Sequence, residues 1–247
     1  VLIGSGIASG NSESINIEHQ IPGTMIKVVV TKQNYFRHEG FIQVIAPDGP
    51  YVVKSGFEIM DMDANSNHLV DYGEDISLNF TVKNLGTEIA DNVTVSISSD
   101  DEYILLTDVE ESYGAIEIDE EITHESAFSF TVNDSIPDNH NIVFNFSATN
   151  GTDIWESSFS IKAYAPVIEI MNMDITETDG NGNGILDAGE TAILQIEIIN
   201  SGRCASPAGL ASLFTESDYL TINSSEYEFE TIDSTGAIMA EFNITAA

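Results

Sequence analysis

A twelve-residue acidic stretch occurs twice in this chain, 116 residues apart, and that duplication limits the fold more than any single strand signal. Asp63-Ala-Asn-Ser-Asn-His-Leu-Val-Asp-Tyr-Gly-Glu74 returns as Asp179-Gly-Asn-Gly-Asn-Gly-Ile-Leu-Asp-Ala-Gly-Glu190. Downstream at the same spacing, Asn84-Leu85-Gly86 matches Asn200-Ser201-Gly202, and Tyr103-Ile104 matches Tyr219-Leu220. No net insertion separates the copies over this span. The chain is therefore built from one unit used more than once.

The unit is a β-unit. In Ile76-Ser77-Leu78-Asn79-Phe80-Thr81-Val82 every second residue is apolar, the pattern of a strand with one buried face. The pattern recurs in Val93–Ser98, Ile142–Phe146 and Leu194–Ile198, and no window carries helical spacing. Short alternating strands punctuated by Gly, Asn and Asp predict an all-β chain of tandem Ig-like antiparallel β-sandwiches. Three parts follow: 1–54 as a partial Ig-like domain with three or four strands, 55–165 as repeat 1, and 166–247 as repeat 2, with Pro166 at the junction. A sandwich of this kind takes about seven strands in roughly 100 residues, so the terminal parts are both expected to be incomplete. Repeat 2 stops where repeat 1 still has strands to come, around 141–149 and 154–163. Neighbouring sequence, or strands from another chain, would fill the gaps, since an open sheet edge templates strand addition.

Each loop has the spacing of a twelve-residue calcium loop, with oxygen donors at positions 1, 3, 5, 9 and 12 and a backbone carbonyl at 7. In the second loop these are Asp179, Asn181, Asn183, Asp187 and Glu190, with the carbonyl of Ile185 and a turn-permitting Gly184 at position 6. In the first they are Asp63, Asn65, Asn67, Asp71 and Glu74, with the carbonyl of Leu69, and His68 at position 6 predicts a strained, weaker site. Strand-like flanks, Phe57–Met62 and Ile76–Val82, exclude EF-hands, which need helices. Converging protein oxygens favour Ca2+ over Mg2+, which keeps more of its water. Ordinary Asp/Asn/Gly turns without metal are the competing reading, and the duplication weighs against it.

The 247 residues hold 7 Lys+Arg against 41 Asp+Glu, a net charge of −34. That excludes phosphate-reading surfaces, hence nucleic acid, and docking on anionic lipid. The acidity is equally what a halophilic or marine surface would carry. No run of apolar residues is long enough to span a membrane. The chain, opening at Val1 on residues that read as the interior of a domain, is expected to be a piece of a longer or processed protein. Cys204 cannot form an internal disulfide, and with His19, His38, His68, His124 and His140 it makes no recognisable nucleophile–base signature, so a structural thiol is expected. Sequons at Asn79, Asn92, Asn133, Asn145, Asn150, Asn223 and Asn243 are candidate glycosylation sites of an exterior glycoprotein, although an Asn/Ser/Thr-rich chain also makes them by chance.

The run Gly40-Phe-Ile-Gln-Val-Ile-Ala-Pro-Asp-Gly-Pro-Tyr-Val-Val53 resembles the end of the Ig-like domain that follows the catalytic domain in gingipain-type secreted cysteine peptidases. The loops ending in Gly-Glu, the Asn-x-Gly strands and the stretch Trp155–Pro166 resemble the tandem β-sandwich repeats downstream in long relatives. The resemblance implies a secreted or cell-surface, non-catalytic segment of a large protein. The family's caspase-like catalytic domain and its C-terminal sorting domain have no counterpart here. The expected function is a calcium-stabilised stalk or adhesion segment whose partners are other domains of the same longer protein. The alternative is a filament or sheath subunit, completed by strands exchanged between neighbouring copies. An accessory substrate-binding part of a cysteine peptidase ranks third.

Overall fold

The computed structural model describes residues 2–7, 15, 17, 20, 22, 24–61 and 66–247, and all its regular structure is β-strand. Nearest the N-terminus, β1 (Met25–Val30) and β2 (His38–Gln43) form a two-stranded antiparallel hairpin pairing Ile26 with Ile42. Residues 1–54 thus contribute two complete strands and the start of a third among the described residues, where three or four were expected.

The first sandwich comprises β3 (Val52–Asp61), β4 (Val70–Asp71), β5 (Asp75–Asn84), β6 (Ala90–Ser98), β7 (Ile104–Asp108), β8 (Glu110–Ile116), β9 (Glu121–Val132), β10 (His140–Thr149) and β11 (Ile154–Tyr164). One sheet has the order β3-β5-β9-β7 and the other β4-β11-β10-β6-β8. Alternation is kept along β5, whose Ile76, Leu78, Phe80 and Val82 are all buried. Between the sheets, Phe80 meets Phe128 edge-on at 5.0 Å and Phe159 at 5.6 Å, and Phe144 stacks on Phe159 at 5.1 Å. Such aromatic pairs add to the area they bury. Trp155 is buried in this core.

The second sandwich repeats the plan with fewer strands: β12 (Ile168–Asp179), β13 (Thr191–Asn200), β14 (Gly209–Ser212), β15 (Leu220–Ile222), β16 (Glu226–Phe229) and β17 (Ala237–Ala246). The sheet order β12-β13-β17-β15 reproduces β3-β5-β9-β7, even to the bulge, which lies between Lys54 and Gly56 in one copy and Ile170 and Asn172 in the other. Its other sheet is only β14-β16, matching β6-β8. Among the described residues nothing stands where β10 and β11 stand in the first sandwich. Its core is correspondingly small, centred on Ile196, Ile198, Ile232, Ala240 and Phe242.

One residue holds each sandwich to its entry strand. Asn84 is fully buried, and its Oδ1 accepts the N–H of Tyr51 (3.1 Å) and Gly86 (3.0 Å). Its Nδ2 donates to the carbonyls of Glu88 (2.8 Å) and Ile116 (3.0 Å). Asn200 does the same with Val167, Gly202, Cys204 and Ile232, each 116 residues on. Glycine is required two residues later because the chain passes so close: a Cβ on Gly86 would lie 2.2 Å from the Gly49 carbonyl, and one on Gly202 2.3 Å from that of Ala165. Pinning of Tyr51 also explains why the strand opening the first unit starts at Val52, ahead of residue 55.

Candidate metal centre

Both acidic loops connect the first strand of a sandwich to the second, β3 to β5 and β12 to β13. Of the first loop's candidates, Asp63 and Asn65 lie outside the described residues; Asn67, Leu69, Asp71 and Glu74 lie within them. The two loops share a hydrogen-bond frame. Asn183 Oδ1 accepts the Ile185 N–H at 2.7 Å, and Asn67 Oδ1 accepts that of Leu69 at 2.6 Å. Glu190 Oε2 accepts the Asp187 N–H at 2.9 Å, as Glu74 Oε2 accepts that of Asp71 at 2.9 Å. Glu190 Oε1 further accepts the Asn181 N–H at 2.9 Å. Glu190, one of the expected oxygen donors, thus ties two backbone positions of its loop together.

Positions 3, 5 and 9 converge in space. The amides of Asn181 and Asn183 approach the same oxygen, Asp187 Oδ2, at 2.9 and 3.0 Å, and Asn67 approaches Asp71 Oδ2 at 3.0 Å. The Oδ1 atoms of Asn181, Asn183 and Asn67 meanwhile accept backbone N–H groups of their own loops, so turning these oxygens to a cation would exchange one set of bonds for another. Among the described residues, no three His, Cys, Asp or Glu side chains by themselves form a metal cluster. A cation held here would draw on asparagine and backbone oxygens as well as carboxylates, the donor types that calcium accepts.

The turn geometry is also shared. Position 6 is left-handed in both loops, with φ of 60° at His68 and 79° at Gly184, so the strain expected at His68 is present in the backbone. One pair of residues goes beyond the sequence expectation. Glu177 accepts the N–H groups of Gly182 (2.7 Å) and Gly184 (2.6 Å), and Asp61 accepts those of Asn67 (2.7 Å) and His68 (3.2 Å). Each lies two residues before position 1 in the sequence. That spacing was the available signal, masked because one copy has Asp and the other Glu.

The loops differ in their surroundings. In the first, Asp61, Asp71 and Glu74 are all buried; in the second, Glu190 is buried while Asp179 and Asp187 are exposed. Burial pushes the Glu74 carboxyl above its usual range, and the nearby Asp71 and Asp61 charges add to the effect against an opposing backbone hydrogen bond from Asp71. The cover over the first loop comes from two places. β4 pairs with β11 in parallel through Val70 and Asp71, and the loop at Cys204 from the second sandwich lies against Asp71. Asp138 Oδ1 accepts the N–H groups of Ala165 (3.2 Å) and Arg203 (3.3 Å), and Arg203 sits over the Tyr164 ring. The first acidic loop therefore lies at the junction between the sandwiches.

Cys204 is buried, and desolvation, then the Asp71 charge, push its thiol up to about 12. The thiolate is the reactive form, so this environment suppresses nucleophilicity. His124 contacts Glu111 at 3.3 Å and His140 contacts Asp101 at 2.8 Å, while His19 lies outside the described residues. Native protein at pH 8 should alkylate with iodoacetamide at least about 100-fold more slowly than denatured protein, given thiol depletion of the thiolate by that margin or more. Labelling at the denatured rate would show instead that the junction opens freely. Of the sequon asparagines, Asn92, Asn133, Asn145 and Asn223 are exposed, while Asn79, Asn150 and Asn243 are half-buried. No helix among the described residues is long and apolar enough to cross a membrane.

No protein-family model matches the chain, and no curated protein matches it.

Proposed function

We propose that this chain is a non-catalytic, calcium-stabilised spacer: tandem β-sandwiches that hold other domains of a longer extracellular or cell-surface protein apart. The observation that carries it is the convergence of loop positions 3, 5 and 9 in the second copy and of positions 5 and 9 in the first, within a hydrogen-bond frame shared by two loops 116 residues apart. In the second loop, Asp179, Asn181, Asn183, Asp187 and the Ile185 carbonyl would hold the ion, with Glu190 and Glu177 fixing the loop around it. In the first, Asp63, Asn65, Asn67, Asp71 and the Leu69 carbonyl would do so, with Glu74 and Asp61 behind them. The bound cation offsets like charges gathered in a chain with few bases to do it, and a cation at the first loop stiffens the joint between sandwiches. The likeness of Gly40–Val53 and of the loops to the non-catalytic region of gingipain-type peptidases supports the extracellular setting, as does the set of exposed sequons.

Isothermal titration with CaCl2 in 0.15 M NaCl should give two sites per chain, the 179–190 loop binding more tightly. Asp187→Asn should remove the tighter site and Asp71→Asn the weaker one, each leaving the other. A flat titration, or binding unchanged in both variants, would mean that the loops are turns without metal.

A further inference from the structure

One turn of the first sandwich reaches both the first acidic loop and the second sandwich. Between β9 and β10 the chain turns through residues 133–139. Early in that turn Asp134 stands over the loop: a Cβ on Gly73 would lie 2.5 Å from Asp134 Oδ1. Late in it Asp138 faces the joint. Its Oδ1 accepts the N–H of Ala165, in the link between the sandwiches, and that of Arg203, in the second sandwich. Arg203 holds its guanidinium carbon 5.7 Å from the centre of the Tyr164 ring. Tyr164 in turn supports the loop: its carbonyl accepts the Tyr72 N–H at 2.9 Å, and it pairs with Asp71 in the β4–β11 ladder.

These contacts bear on the loop because β4 is so short. It has two residues, and its sheet neighbour among the described residues is β11, met through Val70–Ala163 and Asp71–Tyr164. Asp71 is position 9 of the loop, and Leu69, whose carbonyl is position 7, directly precedes Val70. Both are therefore placed by Ala163 and Tyr164, the last residues before the link. From the other side Cys204 lies against Asp71, and the Cys204 carbonyl accepts Asn200 Nδ2 at 2.8 Å, which ties this corner to the entry of the second sandwich. What closes the joint thus fixes the oxygen donors, and by linkage what fixes the donors closes the joint.

We infer that Asp138 and Arg203 are positioning residues of the first loop's cation site, an inference that rests on reading the loops as calcium sites. They clasp the joint and so hold β4 and its oxygen donors against β11, without binding the ion themselves. Loosening the clasp weakens calcium at this loop and leaves the 179–190 loop as it was, since that loop's frame of hydrogen bonds runs within residues 177–190. A pull that parts the sandwiches therefore releases the ion of the first loop before that of the second. Charge and clasp predict opposite signs at Arg203. It is one of few cations in a chain of net charge −34, so by charge alone its removal would tighten calcium, whereas as part of a clasp its removal weakens it. Asp138 separates the two effects as well: Asp138→Asn deletes the charge and keeps the Oδ1 acceptor, and Asp138→Ala deletes both.

The test is isothermal titration of the full chain with CaCl2, in the Asp187→Asn background for the first loop and the Asp71→Asn background for the second, beside amide hydrogen exchange in EDTA. Arg203 is exposed and Asp138 half-buried, so neither substitution opens a core. In the first background Arg203→Ala and Asp138→Ala should each weaken calcium about tenfold, inside the usual range of coupling between sites, and Asp138→Asn should stay within about twofold of its parent. In the second background all three should bind as the parent does. Without metal, the Tyr72 amide should exchange about tenfold faster in both alanine variants, while the β13 amides keep their protection and show the sandwich still folded. Tighter calcium in Arg203→Ala, or equal losses in Asp138→Asn and Asp138→Ala, would assign the effect to charge and overturn the inference. So would alanine variants that leave both the affinity and the Tyr72 exchange unmoved. Parent proteins that bind calcium at neither loop would overturn the calcium reading itself and this inference with it, an outcome visible before any clasp variant is made.

Discussion

Asn84→Ala should destabilise the first sandwich by at least about 2 kcal/mol, because it strands two buried backbone groups, the Gly86 N–H and the Ile116 carbonyl, and weakens two part-buried ones. The side chain serves two N–H donors and two carbonyl acceptors at distances between 2.8 and 3.1 Å, from a fully buried position. Each unsatisfied buried polar group costs about 1–3 kcal/mol, and methyl replacement offers neither a donor nor an acceptor in place of the amide. The adjoining loop cannot close the gap, since the Gly86 backbone already touches the Gly49–Tyr51 segment. The one tryptophan, Trp155, lies in the first core and reports its unfolding. The urea midpoint read from Trp155 fluorescence should fall steeply for Asn84→Ala with its slope unchanged. Asn200→Ala should act on the circular dichroism of the second sandwich and move the Trp155 transition far less. Asn141→Ala, at an exposed position, should stay within about 0.5 kcal/mol of wild type. A loss under about 1 kcal/mol for Asn84→Ala would show that water replaces the side chain and that Asn84 does not hold the entry strand.

Much of this architecture was legible in the sequence because it is periodic. The alternation in Ile76–Val82 gave β5, and the duplication gave the second unit its strand plan; β5 and β13 have identical bounds once shifted by 116 residues. Asn-x-Gly was visible as a repeated mark, but its work was not, since the partners Tyr51 and Ile116 lie 33 and 32 residues away. Asp61 and Glu177 were missed because matching by identity discards an Asp–Glu pair, although both carboxylates do the same thing. β4 has two residues, too short for any period, and it forms only because Tyr164 and Ala163 lie alongside. Aromatic residues are only partly core: Phe36 and Phe214 are exposed, which alternation alone cannot foresee without knowing which strand faces which sheet. The apolar residues on β12 are likewise exposed, which β12's own pattern does not foretell.

Calcium should raise the melting temperature of the chain by about 10 °C over EDTA, even in 0.5 M NaCl. With 5 mM free calcium and a dissociation constant on the order of 10⁻⁴ M, binding to the folded state contributes about 2.3 kcal/mol per loop. In a sandwich of this size 1 kcal/mol moves the midpoint by about 4 °C. High salt separates this from general screening, because at 0.5 M the repulsion between distant surface charges is already suppressed in both samples. Asp179→Ala with Glu190→Ala should abolish the second sandwich's share and leave the shift read at Trp155 in place. The pH dependence in EDTA has a definite sign. Glu74 has its carboxyl raised in the fold, so the folded state holds that proton more tightly than the unfolded chain does. Its contribution is therefore favourable below the ordinary carboxylate range and is lost as pH rises from that range through the raised value. Glu74→Gln should flatten this fall, and calcium should reverse it, because the metal binds only the ionised loop. A melting temperature that moves by less than about 2 °C with 5 mM calcium, at neutral pH and high salt, would remove metal from the account of how these sandwiches hold their junction.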